Sequence, residues 1–112
     1  MERNIVTSDE FMNYIRKEIS KIDSRIDPSY KCVVDAELEW IETAAKLLCA
    51  RINCNDQYAK IVLAIRYLAK GVNGFINELN IDGIINNTEY FQYKNKSEKF
   101  FSDLEKEYDS VA

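Results

Sequence analysis

The segment from Tyr58 to Asn80, YAKIVLAIRYLAKGVNGFINELN, is the feature that most constrains what this chain can fold into. Apolar side chains recur in it at steps of three and four residues: Tyr58, Ile61, Val62, Ile65, Leu68, Val72, Phe75, Ile76 and Leu79. This spacing places them on one side of an α-helix. Other stretches show the same period, and no stretch shows the alternation of a β-strand. We therefore predict an all-α fold, an antiparallel bundle of about four helices over residues 7–26, 28–52, 55–79 and 87–108.

The chain has the size and composition of one globular domain. It contains 112 residues, of which 46% are hydrophobic and 30% are charged. A domain of this length buries roughly two-thirds of its unfolded surface around one core. We expect a single helical domain over residues 1–112, with a frayed N-terminus and an acidic C-terminal tail.

Polar residues mark the expected helix ends. Thr7 and Glu10 match a capping box at the start of the first helix. Asp27 and Pro28 are expected to end that helix and to begin the second one. Proline has no backbone N–H, but the N–H of the first helical residue makes no hydrogen bond within the helix, so proline fits that position. The polar residues 53–56 should then join the second and third helices as a hairpin.

The predicted core takes apolar residues from the inward face of every helix: Phe11, Ile15, Ile19, Trp40, Ala44, Leu48, Ile61, Ile65, Leu68, Val72, Phe101 and Leu104. Trp40, the only tryptophan, is the largest of them.

Residue types that carry catalysis are scarce. The chain has no histidine, which is the commonest general base near neutral pH and a common metal ligand. It also lacks a glycine-rich phosphate loop and a nucleophile elbow. We therefore predict that the protein is not an enzyme and uses no cofactor and no metal.

Charge and cysteine content favour a cytoplasmic protein. The net charge of -4 is too small to drive binding to nucleic acid by bulk charge. The 3 cysteines, Cys32, Cys49 and Cys54, have no metal-motif spacing and are expected to be half-buried apolar residues rather than a disulfide framework. The N-terminus has no apolar stretch of signal-peptide length, and Lys60 and Lys70 interrupt the most apolar segment, so we expect no membrane partner.

A second, narrower apolar face lies on the back of the third helix. Leu63, Tyr67 and Gly74 form it, and Arg66 and Lys70 border it. Small and apolar residues in this layout would allow another backbone to approach closely, so the face is a candidate protein-binding surface and could also support a homodimer. Two alternatives stay open, since the face could pack within the chain, or Gly71 and Gly74 could break the helix.

Glu37 is the second unusual residue, because a helical projection places it inside the apolar arc of the second helix. It could be an acid with a raised pKa that contacts a charged ligand. Alternatively, it reaches the rim of the bundle, where Lys70 or the helix N-terminus would stabilise its charge.

Two further patterns suggest rival functions. Asp35, Glu39 and Glu42 share one helical face and could bind Mg²⁺ in a nucleotide hydrolase, although Lys46 one turn later favours an ordinary solvated surface. The aromatic and basic residues of the last helix could bind single-stranded nucleic acid, or could simply pack in the bundle: Tyr90, Tyr93, Lys94, Lys96 and Lys99.

Apolar faces are plentiful and catalytic groups are few. The sequence thus favours a small protein–protein interaction module, such as an inhibitor, an immunity or antitoxin-like protein or an assembly subunit, which acts by covering a surface of its partner. A nucleic-acid-associated subunit and a Mg²⁺-dependent nucleotide hydrolase are the alternatives.

Overall fold

The computed structural model describes residues 5–109, which form four α-helices and one short 3₁₀ turn. The helices are α1 (Ser8–Ser20), α2 (Lys31–Asn53), α3 (Tyr58–Ile81) and α4 (Asn87–Asp109), and the 3₁₀ turn is Asp23–Arg25. This part of the chain contains no β-strand. The predicted all-α bundle of four helices is confirmed. The first residues of the expected frayed N-terminus and the last of the acidic tail, residues 1–4 and 110–112, lie outside the described residues.

Contacts of α1 show that it runs antiparallel to both of its neighbours. Against α2, Val6 pairs with Asn53 near one end, while Arg16 lies 3.7 Å from Glu42 further along. Against α4, the rings of Tyr14 and Phe100 stack with their centroids 4.6 Å apart, and Glu18 accepts a hydrogen bond from Lys96 at 3.0 Å. In both cases the residue number of the contacting residue falls as the residue number in α1 rises, so α2 and α4 both run antiparallel to α1.

Helix α3 packs lengthwise on α2 and on α4. Ser97, which is buried on α4, donates a hydrogen bond of 3.1 Å to Asn73 of α3. One end of the α2–α3 hairpin is joined by Tyr30, whose hydroxyl donates to Asp82 at 2.6 Å. The four helices therefore alternate in direction around one core, an up-and-down arrangement.

Most of the predicted core is buried, but the interpretation of Trp40 was wrong. The side chain of Trp40 keeps 41% of its surface exposed, whereas Ala44 and Leu48 on the same helix are buried. Ile19 is only half-buried. Buried residues of α2 that the prediction omitted include Ala45 and show that its inward face lies further round the helix than expected. Trp40 lies at the edge of that face and turns outward.

Local hydrogen bonds explain why α1 and α2 are shorter at their junction than predicted. The carboxylate of Asp27 accepts from the backbone N–H of Ser29 at 2.9 Å and from its hydroxyl at 2.8 Å. These bonds hold Pro28 and Ser29 in a turn, so α2 begins at Lys31. The preceding apolar pattern continues into the 3₁₀ turn instead of an α-helix.

A residue in the left-handed backbone conformation follows the end of α2 and of α3. Asn55 has φ 54° and Gly83 has φ 77°. After each of them the chain closes back on the helix, with Asp56 N–H donating to the Arg51 carbonyl at 3.0 Å and Ile84 N–H donating to the Leu79 carbonyl at 2.9 Å. This is the Schellman pattern of helix termination.

The first helix does begin after Thr7, but the predicted capping box does not form, since the Thr7 side chain makes no capping hydrogen bond. Asn53 secures this segment instead. Its side-chain amide accepts from Val6 N–H at 2.9 Å and donates to the Val6 carbonyl at 2.8 Å. A reciprocal capping box does form at α4, where Asn86 and Glu89 each accept a hydrogen bond from the other's backbone N–H.

The cysteines divide into two kinds. Cys49 is buried, and burial, reinforced by the charge of Glu10, raises the pKa of its thiol to about 11. Cys32 and Cys54 are exposed at the two ends of α2. The expectation of half-buried cysteines was therefore wrong for all three. Within residues 5–109, no helix combines the length and the apolar character that a bilayer crossing requires.

Candidate protein-binding face

The outer surface of the α2–α3 pair carries four large apolar side chains that are open to solvent. The exposed fractions are 41% for Trp40, 43% for Leu47, 64% for Leu63 and 46% for Tyr67. We call this surface, with the residues that line its hollows, the α2–α3 face. The other large exposed apolar residues in the described part of the chain are Ile5, which precedes α1, Ile81, the last residue of α3, and Phe91 on α4.

Trp40 and Gly71 fit each other at the centre of one half of this face. A Cβ atom at position 71 would lie 1.8 Å from Cζ3 of the indole, so only glycine leaves room for the ring. The ring also contacts Tyr67, with centroids 5.1 Å apart and planes tilted by 46°. Gly71 therefore does not break α3, which continues through it to Ile81. The predicted alternative of a helix break is wrong.

Two hollows flank Tyr67. The first has a volume of about 330 Å³ and is lined by Glu37, Trp40, Tyr67, Lys70, Gly71 and Gly74. The second has a volume of about 320 Å³ and is lined by Leu47, Arg51, Lys60, Leu63, Ala64 and Tyr67. Gly74 keeps the first hollow open, because a Cβ at that position would meet nothing within 4 Å.

One end of the face is acidic. Glu37 is half-buried and faces Glu78, rather than Lys70 as one of the two predictions supposed. Burial raises the pKa of Glu78, and the hydrogen bond and charge of Glu37 together with the charge of Asp82 raise it further. Tyr30, which donates to Asp82, also has a raised pKa, first because of burial and then because of that hydrogen bond.

The opposite end is basic. Lys60 and Arg51 line the second hollow, and Arg51 donates to Asp56 at 2.8 Å. Among the described residues, neither Lys60 nor Lys70 has a carboxylate within ion-pair distance. Lys70 lies at the acidic end beside Glu37, so the face changes from mainly negative at that end to positive at the end with Arg51 and Lys60.

Four of the five residues predicted for protein binding share this face, namely Leu63, Tyr67, Lys70 and Gly74. The fifth, Arg66, turns toward α4, where its Nε donates to Glu105 at 3.0 Å. Trp40 and Leu47 were missed, because the prediction placed Trp40 in the core and did not single out Leu47 from the apolar arc of α2. Their position at the edge of that arc was the available signal.

The acidic row on α2 does not converge on a metal site. Asp35 and Glu39 are exposed, and Glu42 approaches Arg16 at 3.7 Å instead. Residues 5–109 contain no group of three or more acidic or cysteine side chains that could hold a metal ion. The Mg²⁺-dependent alternative thus gains no support from the geometry.

The aromatic and basic residues of α4 also point in different directions. Lys96 donates to Glu18 at 3.0 Å, and Lys94 lies 5.7 Å from the centre of the Tyr90 ring. Tyr93 lines an apolar cleft between α1 and α4, while Lys99 is exposed. The bond with Glu18 raises the pKa of Lys96. These side chains do not form one basic, aromatic groove.

A smaller, apolar cleft lies between α1 and α4. Its lining includes Tyr14 and Glu18 of α1 and Phe75 and Leu79 of α3. Its volume is about 40 Å³, far smaller than the roughly 150 Å³ that holds a benzene ring. It is a packing gap rather than a ligand site.

Comparison with known proteins gives no match to a family model, to a curated protein or to a solved structure.

Proposed function

We propose that this protein is a protein-binding module and that the α2–α3 face is its binding surface. The observation that carries the proposal is the joint exposure of Trp40, Leu47, Leu63 and Tyr67 beside two open hollows. Contiguous apolar surface of this kind typically marks an interaction site, and aromatic anchors next to hollows are typical of its energetic centre.

The face is also built on regular secondary structure, and a preorganised surface lowers the entropic cost of binding. Its side chains lie on two long, packed helices, and Gly71 fixes the indole of Trp40 against α3. A module of this kind acts by covering a surface of its partner, as inhibitors, immunity or antitoxin-like proteins and assembly subunits do.

The test is capture of partners from the host lysate by tagged protein, compared with the Leu63→Asp variant. Leu63 is 64% exposed, so the substitution should leave the fold intact while it places a charge in the interface. Phe91→Asp is the matched control, because Phe91 is 59% exposed on α4 and lies outside the face. Circular dichroism checks helicity in all three proteins.

We expect a stoichiometric protein to be retained by the wild type and by Phe91→Asp, and to be lost with Leu63→Asp. The emission of Trp40, the only tryptophan, should shift to the blue when the partner is added, because binding would remove the ring from water. Equal retention by a folded Leu63→Asp variant would refute the role of this face. The ratio of absorbance at 260 and 280 nm of the eluate tests the nucleic-acid alternative.

A further inference from the structure

We infer that the α2–α3 face binds a second copy of this chain, across a two-fold axis that crosses α2 and α3 at right angles near Tyr67. The inference rests on the proposed function, and it names the partner. In this dimer α3 lies on α3 and α2 on α2, each pair running antiparallel.

The shape of the face is complementary to itself under this rotation. On α3, Leu63 lies one turn before Tyr67, and Gly71 lies one turn after it. Rotation about an axis at Tyr67 exchanges these levels, so Leu63 of each copy meets the first hollow of the other copy, where Trp40 covers Gly71 and Gly74 leaves open space. Each copy thus supplies both a protruding side chain and a hollow.

The same axis aligns α2. Trp40 contacts Gly71, and Leu47 shares a hollow with Leu63, so the middle of the face on α2 lies near Thr43. Rotation about that level places Leu47 of one copy beside Trp40 of the other. The apolar parts of the two faces therefore meet each other, and four large exposed side chains of each copy become buried.

The charges of the face select this axis over another. Glu37 and Lys70 line one hollow, where Glu78 bonded to Glu37 adds a second acidic group, while Arg51 and Lys60 line the other. Rotation about the axis across the helices places the basic end of each copy on the acidic end of its mate. A two-fold axis parallel to the helices would instead place Lys60 on Arg51, and like charges at an interface are unfavourable.

The area of the α2–α3 face indicates how much of it must be buried in the dimer interface. The 24 residues of α3 extend about 36 Å, and two helices side by side are about 20 Å wide, which gives roughly 700 Å² on each copy. A standard interface buries about 800 Å² on each partner. Only contact along the whole face, including its charged ends, approaches that value, so removal of the end contacts should be readily measurable.

A charge exchange followed by sedimentation velocity over a concentration series tests the dimer. Glu37→Lys and Lys60→Glu should each raise the dimer dissociation constant by roughly tenfold or more, since each places two like-charge contacts in the interface. The chain that carries both substitutions should recover the wild-type constant. Within one chain the two residues lie about 20 Å apart along the bundle, so recovery cannot arise from a contact inside the monomer.

Two results would overturn the dimer. The first is a wild-type protein that stays monomeric at all concentrations, and the second is a failure of the double variant to recover. Either result leaves the proposed function standing if Leu63→Asp still abolishes capture of another protein. If the Leu63→Asp variant still captures the other protein and still self-associates, the α2–α3 face is not a binding surface.

Gly74→Leu separates binding from folding. Its side chain would fill the first hollow, and the open space there allows it without a clash. We expect unchanged helicity and a monomer at concentrations where the wild type is a dimer. Unchanged dimerisation of this variant would show that Leu63 of the second copy does not occupy the hollow.

Discussion

At the scale of the residue, the two glycines of α3 have different roles. Gly71 is buried beneath the indole of Trp40, whereas Gly74 is exposed beside an empty hollow. The sequence shows both as the same anomaly, a flexible residue inside a helix. Only the position of Trp40, which the helical pattern assigned to the core, distinguishes them.

Alanine at each position should therefore change stability in opposite directions. Gly74→Ala should raise the free energy of unfolding by up to about 1 kcal/mol, the difference in helix propensity. Gly71→Ala should lower it by about 1 kcal/mol or more, because displacement of the Trp40 ring costs more than that gain. Urea denaturation measures both, and tryptophan emission should shift to the red only for Gly71→Ala.

The control is Gly71→Ala in a Trp40→Ala background. With no ring to displace, the alanine should now stabilise the helix by up to about 1 kcal/mol, as at position 74. A loss of stability in that background would place the cause in α3 itself rather than in its contact with the indole.

The pair of Glu37 and Glu78 should make stability depend on pH. Folding raises the pKa of Glu78, through burial first and then through Glu37, so the folded chain holds this proton more tightly than the unfolded chain. This contribution to stability is complete below the unfolded pKa of about 4.3 and is lost as the pH rises through the folded value. Glu78→Gln should remove the loss and increase stability at pH 7 by a few tenths of a kcal/mol.

Chemical denaturation at several pH values between 4 and 7 checks this. Glu98→Gln, which removes an exposed carboxylate from α4, is the control for the change in net charge. The expected change is confined to Glu78→Gln, and an equal change in the control would assign the effect to overall charge.

At the scale of the element, the sequence predicted where helices lie better than what ends them. Periodicity located all four, and α4 begins at the predicted residue. The junction between α1 and α2 was wrong because Asp27 bonds to Ser29 and holds a turn that no periodicity reveals. Capping motifs were equally ambiguous, since Thr7 has the right neighbours and yet forms no side-chain cap.

Removal of the two N-cap side chains should show this difference. Asn86→Ala should destabilise the protein by about 1 kcal/mol, because the Asn86 side chain accepts from Glu89 N–H at 2.9 Å. Thr7→Ala should cost clearly less, since no capping bond is lost. Thermal or urea denaturation of the two variants under the same conditions makes the comparison, and equal costs would contradict the capping geometry described for α1 and α4.

At the scale of the whole molecule, the sequence predicted the bundle and most of one face, but not how that face is completed. Leu63, Tyr67, Lys70 and Gly74 could be identified from α3 alone. The contribution of α2 could not, because a projection treats each helix separately, and Trp40 and Leu47 lie where the inward and outward surfaces of α2 meet. Which of the two surfaces they join depends on the position of α3, which is a tertiary property.

Chemical cross-linking of the two exposed thiols at the ends of α2 can show how two copies of the chain are arranged. Cys32 and Cys54 lie at equal distances along the chain on either side of Thr43, and they are about 33 Å apart within one copy. In the proposed dimer, Cys32 of each copy lies at the level of Cys54 of the other. A short bismaleimide reagent should therefore join unlike thiols, and Cys32→Ser or Cys54→Ser alone should abolish the cross-link.

A mixture of these two variants should again become cross-linked, now only between one chain of each kind. Cross-links between like thiols would indicate the other axis, parallel to the helices. Buried Cys49 does not compete, because its thiol is shielded from the reagent. Peptide mapping of the covalent product thus distinguishes the two orientations without a structure of the dimer.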